Sequence, residues 1–216
     1  MMNKLHRIAL IGLVASACQQ GQQQQEETTP AADPNAITCE GIGPVKLTYS
    51  YAALDSAVGA DKLENGTVEE GGSTVHITKV FPNEAEEITV YWAESQEPYT
   101  TITKITIANN FGPYQTAEGL RVGSTLNEIK QYNNFMPVTM TNFYNSLDGF
   151  ATILGFNGGD IEVKYPCLGG KLDITKQRGV DVRTLDEIKP ENELQSSHKL
   201  FNSIDVEVVE LSISAK

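Results

Sequence analysis

A strand–cap–helix segment occurs twice in this sequence, and it constrains the fold more than any other feature. Gly43–Gly59 reads GPVKLTYSYAALDSAVG, and Glu118–Asn134, 75 residues further on, reads EGLRVGSTLNEIKQYNN. Val45 aligns with Leu120, Leu47 with Val122, Ser50 with Thr125, Tyr51 with Leu126 and Leu54 with Ile129. In each copy, alternating apolar residues predict a short strand, a hydroxyl residue marks a helix start, and the spacing beyond it predicts a short amphipathic helix. Thr125-Leu126-Asn127-Glu128 has the form of a capping box, in which hydroxyl and carboxylate satisfy amides that a first helical turn leaves unpaired. Ser50 can cap the first copy without a reciprocal glutamate.

Strand patterns follow each copy. After the first, Val75 and Ile77 alternate with His76 and Thr78; Ile88, Val90 and Trp92 alternate with Thr89 and Tyr91; Thr103, Ile105 and Ile107 come next. After the second, the strand candidates are Val138 to Tyr144, Ala151 to Phe156 and Asp160 to Tyr165, with Asn157-Gly158-Gly159-Asp160 as a hairpin turn. A period of two with one charged side predicts antiparallel strands with one face in water. Ile204, Val206 and Val208 share one strand face, and Val209, Leu211 and Ile213 continue on the other, which predicts a β-bulge or a change of partner. Residues 183–197 contain Pro190 and many charges, so a loop or short exposed helix is expected there. Gly71-Gly72, Gly158-Gly159 and Gly169-Gly170 are read as turns. The expected fold class is α+β: two tandem units, about 38–113 and 114–216, each a short helix plus several antiparallel strands, sharing or abutting one core.

The glycine-led segment Gly119-Leu120-Arg121-Val122-Gly123-Ser124-Thr125 resembles one in small outer-membrane-assembly lipoproteins, where it opens a helix packed on a sheet. The tandem helix-plus-sheet order resembles that of secreted β-lactamase inhibitory proteins. The match covers about fifteen residues per unit, and the chain as a whole looks more like uncharacterised exported lipoproteins. These likenesses concern pattern and do not transfer function.

The N-terminus fits export. Lys4, His6 and Arg7 precede the apolar run Ile8 to Val14, and Ala15-Ser16-Ala17 leads into Cys18. That order reads as a signal peptide over residues 1–17, its apolar run too short for a permanent membrane span. Ala15-Ser16-Ala17-Cys18 resembles the lipobox of bacterial lipoproteins, which implies acylation of Cys18 and anchoring in the membrane. Leu is usual in that family where Ala15 stands here, and cleavage after Ala17 without lipid is the alternative. Residues 18–37 carry almost no large apolar side chain and read as a disordered tether. Gln19 is not the aspartate that resembles an inner-membrane retention signal, which favours the outer membrane.

With Cys18 assigned to lipid, Cys39 and Cys167 remain as a pair in an oxidising compartment, where a disulfide is expected. Two free or buried thiols are the alternative. The chain carries net charge -12, and removal of residues 1–17, with two cations and no acid, makes this -14. Such a surface disfavours nucleic acid and anionic headgroups.

No phosphate loop, H-E-x-x-H, G-x-S-x-G or C-x-x-C motif occurs. His76 and His198 have no second ligand at zinc spacing, and both read as ordinary exposed histidines. Glu84, Glu86, Glu87, Asp160 and Glu162 form no calcium-loop pattern and read as solvated edges. No catalytic residue, metal site or cofactor is therefore assigned. Tyr91, Trp92, Phe111 and Tyr114 gather near the junction of the two units and are the candidate recognition residues; core packing is the competing role. Asn109 to Tyr114 is the expected inter-unit loop. The leading functional expectation is a non-catalytic binding or scaffold module for an envelope protein or cell-wall component. An extracytoplasmic hydrolase, such as a carboxylate-based glycosidase, and an inhibitor of a secreted enzyme are the alternatives.

Overall fold

A computed structural model describes residues 33–215. The signal segment, Cys18 and nearly all of the tether lie outside the described residues. The tether boundary shifts, however, because Ala36 bridges Gln115 and Ile37 bridges Ile42. Ile37 is buried in the core, so the folded part begins before residue 38.

The chain is α+β. A two-stranded ribbon, β1 (Gly41–Ile42) and β2 (Val45–Lys46), leads into helix α1 (Tyr51–Val58). Ser50 caps α1 by accepting from the Ala53 amide at 3.3 Å. An antiparallel meander follows: β3 (Leu63–Glu70), β4 (Ser73–Val80), β5 (Ile88–Trp92) and β6 (Ile102–Ile107). Helix α2 (Leu126–Tyr132) starts with the capping box at Thr125 and Glu128. Then come β7 (Thr139–Thr141), β8 (Ala151–Gly155), helix α3 (Asp160–Lys164), β9 (Leu168–Gln177), helix α4 (Val182–Ile188), β10 (Glu193–Gln195) and β11 (Ile204–Ser214).

Nine strands form one antiparallel sheet in the order β10-β7-β8-β9-β11-β6-β5-β4-β3. The C-terminal strand β11 sits between β9 and β6, so strands from both halves of the sequence share one sheet. They also share one core. Leu54 of α1 and Leu126 and Ile129 of α2 belong to the same buried cluster as Val90, Ile105, Leu172, Val206 and Leu211. The bulge expected at Val208–Val209 is present: Val208 faces Leu172 and Glu210 faces Lys171, leaving Val209 as the extra residue.

Five local expectations are corrected. The short strand expected over Leu120–Val122 does not form, since no strand lies between β6 and α2. Residues 160–164 form a helix, not a strand. Ile161 is buried and Val163 is exposed, because the Asn133 side chain accepts from the Ile161 amide at 3.2 Å and Glu162 accepts from the Gly158 amide at 2.8 Å. The first satisfies an amide of the first helical turn and the second ties the residue just before the N-cap Gly159, so 157–160 is a helix entry and not a hairpin turn. Gly169-Gly170 is not a turn but lies inside β9. A Cβ at Gly170 would stand 2.2 Å from the Glu210 carbonyl oxygen, so only glycine lets β11 approach. The strand expected over 138–144 is limited to Thr139–Thr141, with a 3-10 turn at Phe143–Asn145.

Candidate functional site

The four candidate recognition residues separate into two pairs. Trp92 (2% exposed) and Tyr114 (4% exposed) are core residues, whereas Tyr91 is half-buried and Phe111 is 84% exposed. Trp92 alternates with Val90, so it faces inward, and its indole N–H needs a partner there. Thr78 supplies it: Trp92 Nε1 donates to Thr78 Oγ1 at 2.8 Å, and that hydroxyl donates to Asn65 Oδ1 at 2.7 Å. Tyr99 stacks on Trp92 with centroids 5.6 Å apart, and its hydroxyl lies 3.0 Å from His76 Nδ1. His76, expected as an ordinary exposed histidine, is therefore half-buried and hydrogen-bonded. Tyr114 donates to the Glu86 carbonyl, and burial, helped by the nearby Glu86 carboxylate, pushes its pKa up to about 12.

Tyr91 belongs to the sheet's second, polar face. Cross-strand register places Tyr91 beside Lys104, Thr89 beside Thr106, Thr106 beside Ser212, and Glu210 beside Lys171. The Lys104 ammonium sits 4.0 Å from the Tyr91 ring centroid, a cation–π contact, and also pairs with Glu70. Lys171 pairs with Asp148 at 2.9 Å. Ser146 and then Lys171 hold the Asp148 carboxyl down at about 2. Between these two pairs lies Glu210, which has no ion pair among the described residues. Desolvation raises its pKa, against the pull of Lys171 and Lys104. At one end of this face a depression of about 530 Å³ is lined by Thr89, Thr106, Glu84, Glu87, Asn109 and Phe111. Phe111 stands at its edge, on a loop tied by the Asn109 side chain accepting from the Phe111 amide at 2.9 Å.

A second concavity has no counterpart among the sequence candidates. It is a cleft of about 750 Å³ beside the N-terminal half of β11, opposite β9 and next to α2. Lys130, Lys176, Arg178, His198, Asp205 and Glu207 line it, together with hydroxyl and amide side chains and Phe201. Arg178 pairs with Asp205. His198 Nδ1 accepts from the Leu200 amide at 3.1 Å, so in the neutral ring the proton sits on Nε2. Residues from three separate stretches meet here, and no short motif could announce it.

Cys39 and Cys167 form a disulfide, their Cα atoms 5.6 Å apart. Among the described residues, no group of three or more His, Cys, Asp or Glu side chains is placed to hold a metal, and no helix is long and apolar enough to cross a membrane.

No protein-family model matches this sequence, and no curated protein matches it. Among solved structures, the chain is similar to the crystal structure of the uncharacterized protein yfeY from Escherichia coli, at 12% identity and a TM-score of 0.47, with 83% of this chain and 99% of that chain covered.

Proposed function

We propose that this protein is a non-catalytic binding module of the cell envelope, held to the membrane through lipid on Cys18 and presenting the polar face of its sheet to an envelope protein or cell-wall component. One observation carries the reading: Phe111 stands 84% exposed at the rim of a depression on that face. What supports contact with a partner is its setting: a hydrogen-bonded loop carried by a rigid sheet, with the aromatic ring at the rim of a polar depression. The two capped helices, α1 behind Ser50 and α2 behind Thr125, support a further reading of the fold as two related halves.

The test is site-specific photocrosslinking in cells that make the full-length chain. A crosslinker at position 111 should give a discrete adduct. One at Val163, also exposed and on α3, should not. Adducts of the same pattern from both positions, or none from 111, would overturn the binding face. Lipid anchoring is tested separately with a fatty-acid probe: label is expected on the wild type and absent from Cys18→Ser.

A hydrolase is the second reading, because Asp205 and Glu207 stand two apart on β11 and both line the cleft. Residues two apart on a strand have backbones about 7 Å apart, near the carboxyl separations that glycoside cleavage uses. The Arg178–Asp205 pair counts against it, since Asp205 is already engaged with a guanidinium.

A further inference from the structure

We infer that the cleft beside β11 is a binding site for a carboxylated saccharide, separate from the sheet face proposed above. Its volume of about 750 Å³ suits a ligand of two or three sugar rings. The chemistry of the lining selects the class. Lys130 comes from α2 and Lys176 from the end of β9, and neither has a carboxylate partner among the described residues. Lys130, Lys176 and Arg178 outnumber Glu207 and Asp205, the latter opposite Lys176 in register, so on a chain of net charge -12 the cleft locally reverses the overall field. They provide for one carboxylate of the ligand.

The remaining lining provides for hydroxyls. Glu207 is a strong acceptor, its Oε1 reached only by a long 3.5 Å contact from Thr175. The side chains of Asn127, Asn202 and Ser197 can donate or accept, and the His198 Nε2 proton donates. Phe201 is half-buried and offers an apolar surface of the kind on which the C–H face of a sugar ring packs. Alternatives fit less well. A doubly charged phosphate would face Glu207 and the Asp205 of the Arg178 pair, a like-charge cost. A neutral sugar would leave Lys130 and Lys176 without a counter-charge.

The experiment is calorimetric titration of the full chain in detergent. The probes are a tetrasaccharide of alternating N-acetylglucosamine and N-acetylmuramic acid, tetragalacturonate, a hyaluronan tetrasaccharide, neutral chitotetraose and inorganic phosphate. At least one acidic saccharide should bind with a Kd below about 1 mM, and chitotetraose and phosphate at least about tenfold more weakly. Lys130→Gln/Lys176→Gln should weaken saccharide binding by at least about tenfold, while Phe111→Ala leaves it unchanged. Lys176→Gln alone, at an exposed position, should weaken it without changing the melting temperature, which guards against a folding artefact. The inference is overturned if no acidic saccharide binds, if phosphate or chitotetraose binds as tightly, or if both lysine variants bind as the wild type does. The crosslinking at position 111 is unaffected by any of these results, so the two sites stand or fall separately.

Discussion

Glu210 shows how a single residue can be stable in place and still oppose folding. It sits on the polar face of β11, paired in register with Lys171, and is half-buried. Desolvation raises its pKa more than Lys171 and Lys104 lower it. Because the folded-state pKa lies above the unfolded one, its contribution is fully present below the unfolded value and is lost as pH rises through the folded value. Glu210→Gln should therefore raise the melting temperature at pH 7, and the gain should shrink towards pH 4. A loss of stability at pH 7 would show that attraction to the two lysines outweighs the burial. At the same scale, Trp92 and Tyr114 show what sequence can and cannot disclose. Alternation with Val90 already turns Trp92 inward, but nothing in the sequence names Thr78 as the acceptor for its indole. Tyr114 is buried against Gly43, where an added Cβ would come within 2.4 Å of the ring. That contact joins residues far apart in sequence, so only the fold reveals it.

The elements legible in sequence were those with a cap or a sustained alternation. The helix starts at Ser50 and Thr125 came from side chains that bond locally, and local bonds are what a sequence encodes directly. β5 and the bulged β11 followed from their apolar periods. β3 did not, because most of Leu63–Glu70 is exposed and carries no alternation to read. β9 was interrupted by Gly169-Gly170, whose reason is the approach of β11 and not a turn. The alternation in 160–164 was real but too short to separate strand from helix, and the caps from Asn133 and Glu162 decided it. The cleft was illegible for a similar reason, since its lining comes from three distant stretches. The capping box gives this scale its test. Thr125 accepts from the Glu128 amide at 3.2 Å, and Glu128 accepts from the Thr125 amide at 2.7 Å. Thr125→Ala should cost about 1 kcal/mol. Urea unfolding should show a lower midpoint with an unchanged slope, whereas an unchanged midpoint would mean that tertiary packing alone holds α2.

The whole molecule turns on where β11 goes. The sequence repeat suggests two units side by side, yet the last strand is inserted between β9 and β6 and makes one sheet of both halves. The second half supplies β10-β7-β8-β9-β11 and the first supplies β6-β5-β4-β3, and the β11–β6 pairing is the seam that joins them. The Cys39–Cys167 bond adds a covalent closure around most of this arrangement, with 128 residues of sequence separation. In the chain-entropy account, a loop of that length removes roughly 5 kcal/mol of freedom from the unfolded state. Typical single domains hold only about 5 to 15 kcal/mol in all, so the bond is a large share. Cys39→Ser/Cys167→Ser should therefore lower the urea midpoint strongly, by about 2 to 5 kcal/mol in free energy. The shape of the transition carries a second prediction from the same experiment. One shared sheet and one core should unfold in a single step with coincident far-ultraviolet and tryptophan signals. The tryptophan signal is a local one, because Trp92 lies on β5 in the first half. If the double variant instead lost the Trp92 signal separately from the bulk of the secondary structure, the halves would be independent once the bond is gone. The covalent link, and not the shared sheet, would then be what makes the protein one cooperative body.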